Sequence, residues 1–179
     1  MNDDSPVLKD LNALHEHIQA AVRERFGARL NTVGEYDPID PQLKTIKTPA
    51  ILLELVEIRP GGRKTGGRTP VKLIWSAHCI LSAATPKVQR EIRNFAVQML
   101  CLVDGNKWGL GGAVERPAEL PEAFPGLFNP GEMGFESWIV NWSQVVHLGD
   151  SWELPVDEVY VRESPNIGAD HQDDYRRLV

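Results

Sequence analysis

Gly61, Gly62, Gly66 and Gly67 surround Arg63-Lys64-Thr65. A lysine followed by a threonine in a glycine-rich loop is the pattern that cradles nucleotide phosphates. Two requirements fail. The pattern needs Gly directly before the Lys, where this chain has Arg63, and it must run from a strand into a helix, whereas a strand-like run follows here. What remains is a basic loop. Arg59, Arg63, Lys64, Arg68 and Lys72 contribute five positive charges with no acid to offset them. In a chain of net charge −6, such a segregated patch can dock an acidic partner or sense a phosphate backbone. A solvated loop without a partner is the alternative reading.

The other reactive side chains form no recognisable site. His15 and His17 are two apart on a helical pattern and do not share a face. His78 and His147 alternate with apolar residues on strand-like runs, and His171 lies among acids. Metal-ligand spacing is absent, so no metal or cofactor is expected. No nucleophile elbow appears, although a Ser/His/Asp or Cys/His site could assemble only in the fold. A small enzyme built on His78, Cys79 and distant acids is therefore one hypothesis. The alternation of its strand counts against it, because His78 and Cys79 face opposite ways. Cys79 and Cys101 each sit in an apolar periodic run and read as buried free thiols. Two cysteines are too few for a secreted disulfide framework.

These groups need elements to hold them. The 179 residues suit one domain with an extra arm, and a hydrophobic share of 42% allows a proper core. The acidic balance argues against general binding to DNA or RNA. Met1-Asn2-Asp3-Asp4 is acidic, with no apolar region after it, and no run approaches the ~18 residues of a membrane span. A soluble protein of the cytoplasm is expected.

Ser5-Pro6 reads as a cap and first turn, and Leu8, Leu11, Leu14, Ile18, Ala21, Val22 and Phe26 recur at helical spacing over residues 6–26, closed by Gly27. Leu30 to Tyr36 reads as a strand. Ala50–Ile58 is apolar on both faces near its start, as a central strand is. Val71–Leu81 alternates, with Val71, Leu73, Trp75, Ala77, Cys79 and Leu81 on one face. These two runs predict an antiparallel hairpin joined by the long loop 59–70. Thr85-Pro86 repeats the capped opening of a helix over 86–103, marked by Val88, Ile92, Phe95, Ala96, Met99, Leu100 and Val103.

Residues 109–134 are rich in Pro and Gly, with a short strand expected at Ala113–Arg116. From Trp138 to Leu148 every second residue except Gln144 is large and apolar, the period of a strand buried on one face. Residues 151–179 hold seven acids against three arginines; Val156, Val159 and Val161 suggest one more strand, and the last ten residues a solvated or partner-ordered tail. The order predicts an α+β fold: a mainly antiparallel, mixed sheet of four to five strands, two helices packed against it, and a C-terminal arm. Residues 1–149 form the domain and 150–179 the acidic extension. Trp75, Trp138 and Trp142 read as core or as a subunit seam, since aromatics are enriched in interface cores.

The pattern resembles a family. An N-terminal helix leads to Pro49-Ala50-Ile51-Leu52-Leu53-Glu54-Leu55, then a long loop, a second strand, and a helix of the form Ile92…Ala96…Met99…Leu100. A Pro/Gly-rich stretch leads into Trp138-x-Val140-x-Trp142-x-Gln144, ending at Leu148-Gly149. Over about residues 6–149 this is similar to the tail terminator (tail completion) proteins of long-tailed bacteriophages and related contractile injection particles, the Mu-like contractile group in particular. The resemblance implies an α+β subunit of a hexameric ring on the last ring of the tail tube. Such a ring stops tube and sheath polymerisation and offers a surface to the head connector. It implies no enzymatic activity and places the chain in the virion tail, assembled in the host cytoplasm. On this reading the loop 59–72 meets the tube or a neighbouring subunit, and the arm a neighbour or the sheath. A head–tail joining or other adaptor ring is the alternative.

Overall fold

The computed structural model describes residues 7–39, 45–63, 66–126 and 134–150, and the backbone of 160–161 and 176–177. The first helix, α1, spans Leu11–Phe26. Asp10 in extended backbone caps it, its Oδ1 accepting from Ala13 N at 2.9 Å, which satisfies one otherwise orphaned donor. The helix thus starts five residues after the expected opening. Ser5-Pro6 lies outside the described residues, and Leu8 makes a parallel bridge to Leu148 instead of a helical turn. Leu14, Ile18, Val22 and Phe26 form the buried stripe, and Gly27 ends the helix at φ 55.

The sheet is built from β1 (Thr32–Glu35), β2 (Ala50–Pro60), β3 (Thr69–Ser82), β4 (Glu122–Gly126) and β5 (Phe135–Leu148). Their spatial order is β1-β2-β3-β5-β4. Only β1–β2 is parallel; the other three pairings are antiparallel. The second helix, α2 (Val88–Val103), buries Ile92, Ala96, Met99 and Val103. Both helices join one hydrophobic cluster with Ile51, Leu53, Leu73, Trp75, Ala77, Val140 and Trp142, so both cover the same face of the sheet. This is the α+β architecture that the mixed order of elements predicts. On the other face a small cluster of Ala50, Leu52 and Ile80 gathers Tyr36, Ile46 and Phe135.

Several boundaries differ from the sequence reading. Thr85-Pro86 does not cap α2: the chain makes one more turn, Val88 N donating to Thr85 O at 3.1 Å, and Lys87 occupies the cap in left-handed backbone. The stretch expected as a strand at 113–116 is a 3₁₀ turn, Gly111–Ala113, followed by one bridge, Val114 to Val146. The strand next to β5 is instead β4, hidden in the Pro/Gly-rich region. A strand carrying Pro125 is tolerated at the edge of a sheet, where a missing N–H breaks no interior ladder. Cys79 is buried but Cys101 is exposed, because it is two residues from both Met99 and Val103 on a 3.6-residue period. Tyr160–Val161 and Arg176–Arg177 form a separate two-stranded sheet; Val156 and Val159 lie outside the described residues.

Candidate functional site

β3 and β5 pair along their full lengths, from Thr69 opposite Leu148 to Ser82 opposite Phe135. Trp75 stands opposite Trp142, and the two rings stack with centroids 6.1 Å apart. Both are buried, at 1% and 3% exposure, under the helices. Trp138 is half-buried beside the same cluster. Trp75 and Trp142 thus sit in the core of a single subunit.

Gln144, the polar exception on the β5 face, sits within this aromatic group at 1% exposure. Its Oε1 accepts from Trp108 Nε1 at 2.7 Å, and its Nε2 donates to the carbonyls of Asn106 (2.7 Å) and Glu115 (2.6 Å). One amide thereby ties the turn after α2 and the Val114 bridge to the sheet. Trp108 is held in left-handed backbone (φ 56), with its N–H donated to Asn106 Oδ1 and its carbonyl accepting from His17 Nδ1 at 3.0 Å. A non-glycine residue holds that conformation only when several contacts fix it. The sequence carried one signal of this network: a glutamine where the period calls for an apolar side chain.

The enzyme hypothesis loses its nucleophile. Cys79 is in the core, where burial pushes its thiol well above the ordinary range. His78 lies on the opposite face, its Nε2 2.8 Å from Glu54 Oε2 and its ring stacked on Tyr36 at 4.1 Å. Ser76 donates to Asn141 Oδ1 at 2.8 Å. No group of three or more His, Cys, Asp or Glu side chains suited to a metal ion occurs among the described residues.

The basic segment is built differently from a free loop. β2 and β3 pair up to Pro60 opposite Val71, so Arg59 and Lys72 face each other in the sheet and the connection shortens to 61–68. Gly61 carries the pairing one residue further: its N–H donates to Pro70 O at 3.0 Å, and a Cβ there would lie 2.7 Å from the Pro70 carbonyl carbon. Acids do offset two of the charges. Arg59 grips Glu57 with two hydrogen bonds of 2.7 Å, which hold the Glu57 carboxyl below the usual carboxylate range and the guanidinium above its own. Lys72 Nζ lies 3.1 Å from Glu119 Oε1. The expectation of five uncompensated charges is corrected accordingly: Glu57 shares a strand face with Arg59 two residues on, and the fold brings Glu119 to Lys72. Arg63 is exposed and Arg68 half-buried; Lys64 lies outside the described residues.

The sheet leaves two edges bare among the described residues. β1 pairs β2 only from Ala50 to Leu53, with Tyr36 N closing onto Leu53 O at 2.8 Å. Beyond it, Glu54–Pro60 has β3 on one side and no strand on the other. A bulge at Val56 breaks the register there, and Val56 and Ile58 are 53% and 56% exposed. At the far side β4 pairs β5 from one side only, with Leu120 82% and Phe124 39% exposed. No helix of the described residues is long and apolar enough to cross a membrane.

No protein-family model and no curated protein matches this chain. Among solved structures, one described as an extracellular contractile injection system, the PVC sheath/tube terminator in its extended state, superposes with a TM-score of 0.40 at 14% identity. The alignment covers 92% of this chain and 66% of that one.

Proposed function

We propose that this chain is a structural component of a phage tail or phage-tail-like contractile particle, one that closes the end of the tail tube as a ring. In that role it ends tube and sheath polymerisation and presents a surface to a head connector, without catalysing a reaction. The observation that carries the reading is the distal half of the β2–β3 hairpin. There a strand edge with no partner among the described residues, exposed Val56 and Ile58, the Arg59–Glu57 ion pair and exposed Arg63 occur together. Apolar side chains, open backbone groups and surface charges are what a protein docking surface uses. The apolar patterning at 49–55, 92–100 and 138–149, which resembles tail terminators, supports the tail assignment. We assign the hairpin to the tube or a neighbouring subunit, and the acidic residues 150–179 to a separate arm reaching a neighbour or the sheath.

Tails assembled without the protein test this directly. Overlong tubes and sheaths, restored to uniform length when the protein is supplied, are the expected result. Tails of normal length that lack heads would instead assign it to head–tail joining. Replacing Arg63, Lys64 and Arg68 with alanine should leave a folded protein that no longer caps; unchanged capping removes the basic loop from the account.

A further inference from the structure

We propose that the two bare edges of the sheet recognise each other between copies. The distal edge of β2 in one subunit takes up β4 of the next as an added antiparallel strand, with Arg59 facing Glu122 of the neighbouring copy. The inference deepens the ring reading and rests on it for closure; the strand addition itself is a property of the free chain.

Three observations carry it. The backbone groups along one side of Glu54–Pro60 and of Glu122–Gly126 have no strand partner among the described residues, which is the template for strand addition. Each edge also exposes large apolar side chains, Val56 and Ile58 on one and Leu120 and Phe124 on the other. Charge contributes through the groups that remain: the Arg59 guanidinium, which holds Glu57 of its own strand through Nε and one terminal nitrogen, keeps its other terminal nitrogen, and exposed Arg63 lies beyond it, while exposed Glu122 stands on β4 and Glu119 is held by Lys72. Pro60, Pro125 and the bulge at Val56 blunt these edges, so the added pairing is confined to the short stretch between them.

Direction and register agree as well. β4 is antiparallel to β5, which through β3 is parallel to β2, so a neighbour laid alongside presents β4 antiparallel to β2. Glu122 and Phe124 share the open face of the sheet with Asn141 and Ile139, and Glu57 and Arg59 share it with Ile74 and Lys72. Placing Glu122 opposite Arg59 therefore keeps both faces in phase, puts Ala123 beside Ile58 on the helix side, and brings Phe124 to Glu57. Opposite charges directly across a strand pair stabilise it, and like charges there do the reverse.

The strand tilt also agrees with a closed sheet. Within one copy Phe124 is level with His78 through Ile139, whereas Glu57 is level with Ile74, a step of four β3 residues. That step is about 14 Å along the strands, against about 19 Å across the four strand spacings of one copy, a tilt of roughly 36°. Strands of closed barrels tilt by about 35–45°. Repeating one heterologous contact gives a ring where the rotation between copies closes and a helical filament where it does not.

Cysteine pairing tests the contact in the full chain. In a Cys101→Ser background, Arg59→Cys and Glu122→Cys proteins are mixed under mild oxidation, each alone serving as control. A disulfide-linked dimer in the mixture and none in either control is expected. Dimer from Arg59→Cys alone means two β2 edges meet, and overturns the proposal; so does no cross-link in any sample at the highest soluble concentration. Charge reversal gives an independent reading. Arg59→Glu and Glu122→Arg should each weaken self-association, read by light scattering, on the order of tenfold. One chain carrying both changes should recover it, and failure to recover overturns the pairing. Circular dichroism confirms that each variant folds. Tube capping without cross-linking leaves the tail reading standing and removes this interface, whereas cross-linking without capping does the reverse.

Discussion

Replacing Gln144 with leucine isolates the one buried amide that joins the sheet to the turn after α2. The substitution nearly conserves volume, so the effect comes from hydrogen bonding. Trp108 Nε1, in a ring 3% exposed, loses its acceptor, which costs about 1–3 kcal/mol for a buried donor. The Asn106 and Glu115 carbonyls each lose a donor worth about 1 kcal/mol. Leucine returns about 1–2 kcal/mol of apolar burial. A net loss of about 2 kcal/mol is expected, read as a fall in the urea midpoint at unchanged slope by far-ultraviolet circular dichroism. Trp108→Phe combined with Gln144→Leu should cost less than the two single changes summed, because the orphaned donor is then absent. Gln144→Glu should be the most damaging change at neutral pH, since it sets a carboxylate against two carbonyl oxygens. Its folded-state pKa is then raised, so both states are protonated below about 4.3, and stability falls as pH rises from there through the raised value. A Gln144→Leu protein within about 0.5 kcal/mol of the parent would refute the network as a fastening.

Three further outcomes are expected. In native protein a thiol reagent should modify Cys101 at once and Cys79 only on unfolding, so one thiol reacts without denaturant and two with it; rapid reaction of both would contradict the buried position of Cys79. Burial holds the His15 pKa below its ordinary value, against the raising effects of Glu35 and Glu16. Because the folded value is depressed, the stability contributed by His15 is complete above about 6.5 and declines as pH falls below it, and thermal melts of His15→Gln should lack that decline. Gly61→Ala should strain the hairpin turn, where the new Cβ would meet Pro70 backbone at 2.7 Å, at a cost of about 1–3 kcal/mol. Hydrogen exchange should show the loss concentrated at the ends of β2 and β3.

Periodicity made the long elements legible. Leu14, Ile18 and Val22, the stripe Ile92–Ala96–Met99–Val103, and the alternation of β3 and β5 each show their buried face in the residues themselves, because burial imposes a period of 3.6 or 2 on any chain that forms them. Element ends were less legible. Asp10 and Lys87, not Ser5 and Thr85, open the helices, since several residues near each start could end a turn and packing chooses among them.

What the residues decide alone is therefore the fold class, the hairpin and the aromatic core, each of which follows from local pattern. Tertiary structure decided the rest, because it depends on which strands become neighbours. The approach of residue 119 gave Lys72 its carboxylate, and pairing with β5 turned Glu122–Gly126 into an edge strand. Among the described residues β1 pairs only with Ala50–Leu53 and leaves the rest of β2 without a second strand, and three partners from distant turns converted Gln144 from an irregularity in a pattern into a fastening. None of these is written in the spacing of one segment, since each is a contact between groups far apart in the chain.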